Sequence, residues 1–316
     1  MTNHNSQFPT LFNESEEMNG AIQISIDFIP GLRRSEEDLH PYSLLIFSNM
    51  YLRAAHAEAN VALLQEFIKQ NPLGILTTAI KSAVHPFIQS SHIPFILDIQ
   101  ESNDTNANNA EDGHETYGIL RGHMAKQNPQ AKVLMEELVA TRIERGDATV
   151  RELPEEVLIL FNGPHHHYVT PKFYVETKPT TGKVVPTWNY AAVQAYGKIK
   201  VYCDSKSEQT SSFLQRQVEA LSRQAETSIM GYTGGDRPKA WEVSDAPNSY
   251  VDLLKKNIIG IEIQIHRLEG KFKMSQEMSK GDREGVIQGF NNLDSEVGRN
   301  IAKTVKERGD MKDGQK

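Results

Sequence analysis

Residues 258–266 read IIGIEIQIH. Ile259, Ile261, Ile263 and Ile265 fall on one side, and Glu262, Gln264 and His266 on the other. A period of two with one apolar and one polar face is the pattern of a half-buried β-strand. Similar texture recurs upstream. LGILTTAI (73–80), FIQSSHIPFIL (87–97), YGILRGH (117–123), VLILFN (157–162), HYVTPKFY (167–174) and VVPTWNYAAVQAYGKIKVY (184–202) are rich in Val, Ile, Thr, Phe and Tyr, with Gly, Pro and Asn at their borders. Pro94 inside its run predicts an edge or a bulge. Strands this dense, with few helices between them, predict a barrel or a sandwich.

Helical spacing appears at 56–70, where Val61, Leu64, Phe67 and Ile68 share a face and Asn71-Pro72 ends the run. It appears again at 206–226, with Phe213, Leu214, Val218 and Leu221 on one side, and at 247–256 behind Pro247. The fold class is therefore mainly β with α. Residues 1–49 read as a partly disordered N-terminal extension, in which AIQISIDF (21–28) predicts an added strand. Residues 50–205 form the barrel domain and 206–290 a helical and strand portion of the same fold. Residues 291–316 read as a charged tail, a frayed helix, and the polar insertion at 100–116 as a mobile loop.

The chain has 316 residues, a net charge of −7 and one cysteine, Cys203. One cysteine allows neither an internal disulfide nor a cysteine zinc site, and fits a reducing compartment. No apolar run approaches the length of a membrane span. The expected setting is cytoplasmic or nuclear, without a membrane partner. An acidic total does not advertise DNA binding, which needs clustered Lys and Arg. There is no GxGxxG, P-loop, GxSxG or HExxH, so hydrolase and nucleoside-triphosphate chemistry lack support. No catalytic acid or base stands out.

Five stretches could carry chemistry. In LRGHMAKQNPQ (120–130), Arg121 and Lys126 are spaced to clamp a phosphate and Gly122 permits close backbone approach; a solvated strand end and a turn are the plainer reading. His165 and His167 could chelate a metal from an extended segment, but no carboxylate stands nearby, and loop histidines are favoured. Ser90, Ser91 and His92 could hydrogen-bond a ligand or sit in a core-edge turn. Lys271 and Lys273 point to one side, as a solvated face or a second anion contact. Trp188, Asn189 and Tyr190 stand side by side at the head of a strand, either as packing or as a ligand wall.

Taken in order, several motifs carry a resemblance. They are Met50-Tyr51, Asn71-Pro72 with Thr77-Thr78, His92-Ile93-Pro94-Phe95, LRGHMAKQNPQ, FNGP (161–164), YVTPKFY (168–174) and the 184–201 stretch. WEVSDAP (241–247), IIGIEIQIHRLEGKFKMSQ (258–276) and DREGVIQGF (282–290) follow. Over residues 50–290 the chain resembles the PaiB-type family of FMN-binding split-barrel proteins. The resemblance implies a split β-barrel that forms a homodimer, with FMN in a groove at the subunit interface. Carried onto this chain, Arg121 and Lys126 become phosphate contacts and Thr77, Thr78 and Ser91 hydroxyl donors. His92 and His123 would lie near the ring or the ribityl chain. Trp188 and Asn189 would close the site from the same subunit or its partner. The 1–49 extension, the 100–116 insertion and a longer, His-rich 165–167 segment depart from the family pattern. The function implied is an FMN-dependent oxidoreductase or a flavin-linked regulator acting on an unidentified small molecule. The alternatives are a haem-binding or haem-degrading split barrel and a non-enzymatic transcriptional regulator that binds DNA.

Overall fold

The computed structural model describes residues 51–99 and 117–314. The expected strand at 21–28 and the expected loop at 100–116 lie outside these residues. In chain order the elements are β1 (Ala57–Glu58), α1 (Val61–Gln70), β2 (Leu73–Ala79), β3 (Ile88–Pro94), β4 (Ile96–Asp98), β5 (Ile119–Ala125), α2 (Pro129–Arg145), β6 (Glu152–Asn162), β7 (His167–Val169), α3 (Thr177–Thr181), β8 (Thr187–Tyr202), α4 (Glu208–Gln224), α5 (Asn248–Lys255), β9 (Ile258–Lys273), α6 (Lys280–Asn291) and α7 (Glu296–Gly314).

The main sheet runs β3-β2-β6-β8-β9-β5-β4, and every neighbour pair is antiparallel. Phe95 alone separates β3 from β4. The two ends of the sheet are thus one bent chain segment, and the sheet closes on itself. Pro94, which lacks an N–H for a ladder, sits at that bend. β3 and β5 meet side chain to side chain across the seam. A Cβ on Gly122 would lie 2.9 Å from Ile93 and 3.1 Å from Phe95. Gly122 therefore serves barrel closure, where the sequence had suggested approach to a ligand.

Alternation decides which residues fill the barrel. Ile259, Ile261, Ile263 and Ile265 are buried with Leu76, Leu120, Ile159, Phe161, Val193 and Ile199 in one core. A bulge between Tyr196 and Gly197 sets the β8–β9 register. α1 buries Leu64 and Ile68 against this core. It begins at Val61 rather than residue 56, because Asn60 caps it through the Leu63 N–H (3.1 Å) and β1 occupies the chain before. α4 roofs the outer face of β5 and β9: a Cβ on the outward Gly260 would come within 2.4 Å of Phe213.

Two helices depart from the sequence reading. α2 follows β5 where only a turn was expected. Its buried side includes Val133, Leu134 and Leu138, yet Val139 and Ile143 are exposed, so apolar residues surround the helix and blur its period. Within the segment expected as a charged tail, α7 (Glu296–Gly314) is a docked helix rather than a frayed one. α7 buries Ile301, Ala302 and Val305 against α6, while Arg308 and Arg283 pair with Glu58 and Asp313.

Candidate functional site

The N-terminus of α2 gathers two of the hydroxyl side chains singled out in the sequence, Ser91 and Thr78. Asn128 caps the helix, accepting the Gln130 N–H at 2.9 Å, and Pro129 occupies its first position. The Asn128 amide donates to Ser91 Oγ at 3.0 Å. Gln130 is buried, and its Nε2 reaches Leu76 O (3.1 Å), Thr78 Oγ1 (3.0 Å) and Gln89 O (3.2 Å). The first turn of α2 is thereby pinned to β2 and β3. A helix N-terminus offers free N–H groups and the positive end of the helix dipole. Two buried polar atoms of this region have no partner among the described residues, Gln89 Nε2 and Gln130 Oε1; His123 Nδ1, on the same side of β5 as Arg121, has none either. Burial lowers the pKa of His123, so its imidazole is neutral near pH 7.

On the other side of these strands from Thr78 and Ser91, the outer face of β2, β3 and β6 is open. Thr77 and Ser90 lie opposite one another with hydroxyls 2.9 Å apart, and His92 lies across from Ile75. Leu158 and Leu160 continue the face on β6, half-buried. Lys126 follows the end of β5. Its backbone N–H donates to Asn257 O at 2.9 Å, and its charge acts on the Cys203 thiol. Burial dominates at that thiol and pushes its pKa up.

Arg121 is separate. It points outward from β5 under α4, where its Nε and Nη2 (2.9 Å) bind the Asp98 carboxylate in a fork. Nη1 reaches Gln217 Oε1 at 3.3 Å, and Gln217 Nε2 returns a bond to Arg121 O at 3.2 Å. Arg121 and Lys126 therefore do not meet as a phosphate clamp. The arginine is committed to an internal pair.

Trp188 and Asn189 lie elsewhere again. β7 pairs with the head of β8, placing Tyr168 opposite Trp188 and His167 opposite Asn189. Asn189 is fully buried; its Oδ1 accepts from Ser275 Oγ at 3.1 Å and its Nδ2 is unpartnered. Ser275 holds a positive φ of 58°. Trp188 is 53% exposed, flanked by His166 and Tyr168 at 6.0 and 6.3 Å between ring centroids. By register, Ile75 aligns with Leu160 and Gln194 across the sheet. At about 3.3 Å per residue, Trp188 lies roughly 20 Å along β8 from that row. Within one protomer it cannot cover the α2 turn.

The remaining stretches find local roles. His167 packs edge-on against Phe290, and its Nδ1 lies 2.8 Å from Tyr168 O. Among the described residues, no group of three or more His, Cys, Asp or Glu could hold a metal ion. Lys271 donates to Tyr51 O (2.9 Å) and Lys273 to Trp188 O (3.0 Å), so both share one side and tie chain segments together. Tyr174, buried beside Glu277 and Asp282, has its pKa pushed up to about 12, chiefly by burial. Sequence reasoning missed Asn128 and Gln130 as functional positions. Asn-Pro was itself the signal, as a helix cap followed by proline in the first helical position.

Residues 50–267 match the family described as "Putative FMN-binding domain", and the chain belongs to it. An uncharacterized protein of Aspergillus fumigatus is 69% identical over 84% of this chain and 99% of its own length. One of Emericella nidulans is 66% identical over the same shares. The protease synthase and sporulation protein PAI 2 of Bacillus subtilis is 23% identical, over 82% of this chain and 98% of its own. Among solved structures, a conserved hypothetical protein of Mycobacterium tuberculosis superposes with a TM-score of 0.39 at 13% identity, covering 73% of this chain and 94% of its own. No described helix is long and apolar enough to cross a membrane.

Proposed function

We propose that the protein is a homodimeric FMN-binding flavoprotein whose flavin phosphate sits at the N-terminus of α2. One observation carries this reading: in a chain of the FMN-binding family, a pinned helix N-terminus coincides with orphaned polar atoms, two residues after Lys126 in sequence. The donor set fits a phosphate. The Ala131 N–H, the Ser91 hydroxyl and the Lys126 ammonium supply the donors, since Pro129 has no N–H and Asn128 takes that of Gln130, and Thr78 orients Gln130 beneath them. Thr77, Ser90 and His92 line the open outer face of the same two strands. Neutral His123 offers a hydrogen bond at its free Nδ1 without adding a charge.

The dimer supplies what one protomer lacks. The outer faces of Ile75, Leu158 and Leu160 are only half-covered, and Trp188 is exposed too far away to serve its own site. A second copy covering the β2–β3–β6 face brings its own Trp188 to the groove. When bound, FMN supplies hydride or one-electron chemistry, and the protein supplies binding, orientation and exclusion of water. The reaction class is an FMN-dependent oxidation or reduction of a small molecule.

Absorbance spectroscopy tests this directly. Protein mixed with FMN and passed through a desalting column is expected to retain flavin bands, one FMN per chain. Loss of all flavin on the column rejects the reading. A Soret band after haem addition, with no retained flavin, would favour haem instead.

A further inference from the structure

At the opposite end of α2 from the flavin turn lies an open cleft of about 920 Å³. Its walls come from the end of α2 (Arg145), the start of β6 (Arg151, Glu152), the end of β8 (Lys200, Tyr202) and α4 (Glu208, Arg216). Four cationic side chains thus face Glu152 and Glu208, with Glu262 3.4 Å from Lys200, in a chain whose overall charge is negative. Local excess of positive charge against the total marks an anion site rather than a mixed solvated surface.

Two of the four cations are not consumed internally. Arg145 and Arg216 have no hydrogen-bond or ion-pair partner among the described residues. Arg151 spends one nitrogen on Thr149 O at 3.3 Å, and Lys200 stands 3.4 Å from Glu262. Three guanidinium groups on three separate elements therefore retain fork donors, the geometry that takes phosphate oxygens two at a time.

The cleft also indicates what it does not read. Tyr202, its one aromatic, is stacked on Phe213 at 4.0 Å and approached by Arg151 at 5.7 Å from its ring centroid. Both uses compete with a base stacking on that ring. Single-stranded nucleic acid needs free aromatic platforms, and none lines this cleft. The volume exceeds what one phosphate needs and suits a small ligand. We infer that this cleft binds the diphosphate group of a small molecule, reading the phosphates and not the group attached to them.

The test is titration calorimetry on the full chain with FMN in excess, using ADP, UDP, AMP and inorganic pyrophosphate. ADP, UDP and pyrophosphate are expected to bind within about threefold of one another, and AMP about tenfold more weakly, because one phosphate forfeits half the forks. Arg145→Ala and Arg216→Ala are each expected to weaken ADP by about fivefold to tenfold. Both residues are exposed, so circular dichroism should stay unchanged; Arg216→Lys, which keeps the charge but loses the fork, should fall between. The inference is overturned by no saturable binding, by equal binding in the alanine variants, by an ADP–UDP difference beyond about tenfold, or by release of flavin on adding pyrophosphate. The last outcome would place the diphosphate at the flavin turn.

Discussion

Single residues illustrate how burial and partners set roles. Arg121 has the chemistry of a phosphate ligand but is spent on Asp98 and Gln217. Arg121→Ala is expected to lower stability by about 1–3 kcal/mol, because Asp98 and buried Gln217 lose their donor. FMN retention should change little. Lys126→Ala should do the reverse, weakening FMN by about tenfold with the melting temperature nearly unchanged. Equal effects of the two on flavin binding would misplace the phosphate. His123 adds a pH dependence. Burial disfavours its charged form, so its folded pKa lies below the ordinary value of 6.5. Its contribution to stability is complete above that value and is lost as pH falls from there through the folded pKa. Urea unfolding at stepped pH should show stability falling below about pH 6.5, with a slope of at most about 1.4 kcal/mol per pH unit from this group. His123→Gln should flatten that slope, and an unaltered slope would show that His123 is not its source.

At the scale of elements, the β8–β9 ladder and the α6–α7 pair are the parts to probe. Gly197 sits at the ladder's bulge, where a Cβ would lie 1.9 Å from Gln264 O. Neither backbone can give way without breaking the register. Gly197→Ala should cost about 2–4 kcal/mol, read as a lower urea midpoint. α7 contributes to the core through Ile301, which is fully buried. Ile301→Ala should cost about 2–5 kcal/mol, whereas a solvated tail would lose almost nothing. The difference is visible in the sequence only in part. The glutamates, lysines and arginines of 291–316 advertise solvent, while Ile301 and Val305 lie one helical turn apart and mark the buried stripe. α2 escaped notice for the opposite reason: Val139 and Ile143 put apolar groups on its exposed side.

For the whole molecule, the proposed dimer makes a prediction that no monomeric arrangement shares. Trp188→Ala and Lys126→Ala proteins should each bind FMN poorly. Unfolded and refolded together, they should regain one intact site per mixed dimer, because Trp188 and Lys126 then come from different chains. If mixing restores no binding, the two residues serve no shared intersubunit site. Leu158→Lys on the open β6 face should give a folded monomer by sedimentation and lose flavin with it. A monomeric wild type in the presence of FMN would remove the dimer altogether.

Amino-acid order alone determined most of the barrel strands; of the expected strand at 167–174 only His167–Val169 forms one, and Pro171–Phe173 turns into a 3-10 helix. The alternation of Ile259 to Ile265, the Pro94 break and the Asn-Pro stop after α1 are local patterns, because a strand's faces repeat every two residues wherever it is placed. Motif order also led to the FMN-binding family, to which the chain belongs. Tertiary structure alone decided which polar groups meet. Arg121 and Lys126 are five residues apart in sequence, yet β5 carries the first under α4 to Asp98 and releases the second beside Asn257 and Cys203. Ser91, Thr78 and Gln130 share no local pattern and meet at the end of α2. Strand register and helix docking depend on partners dozens of residues distant, and no local period records them.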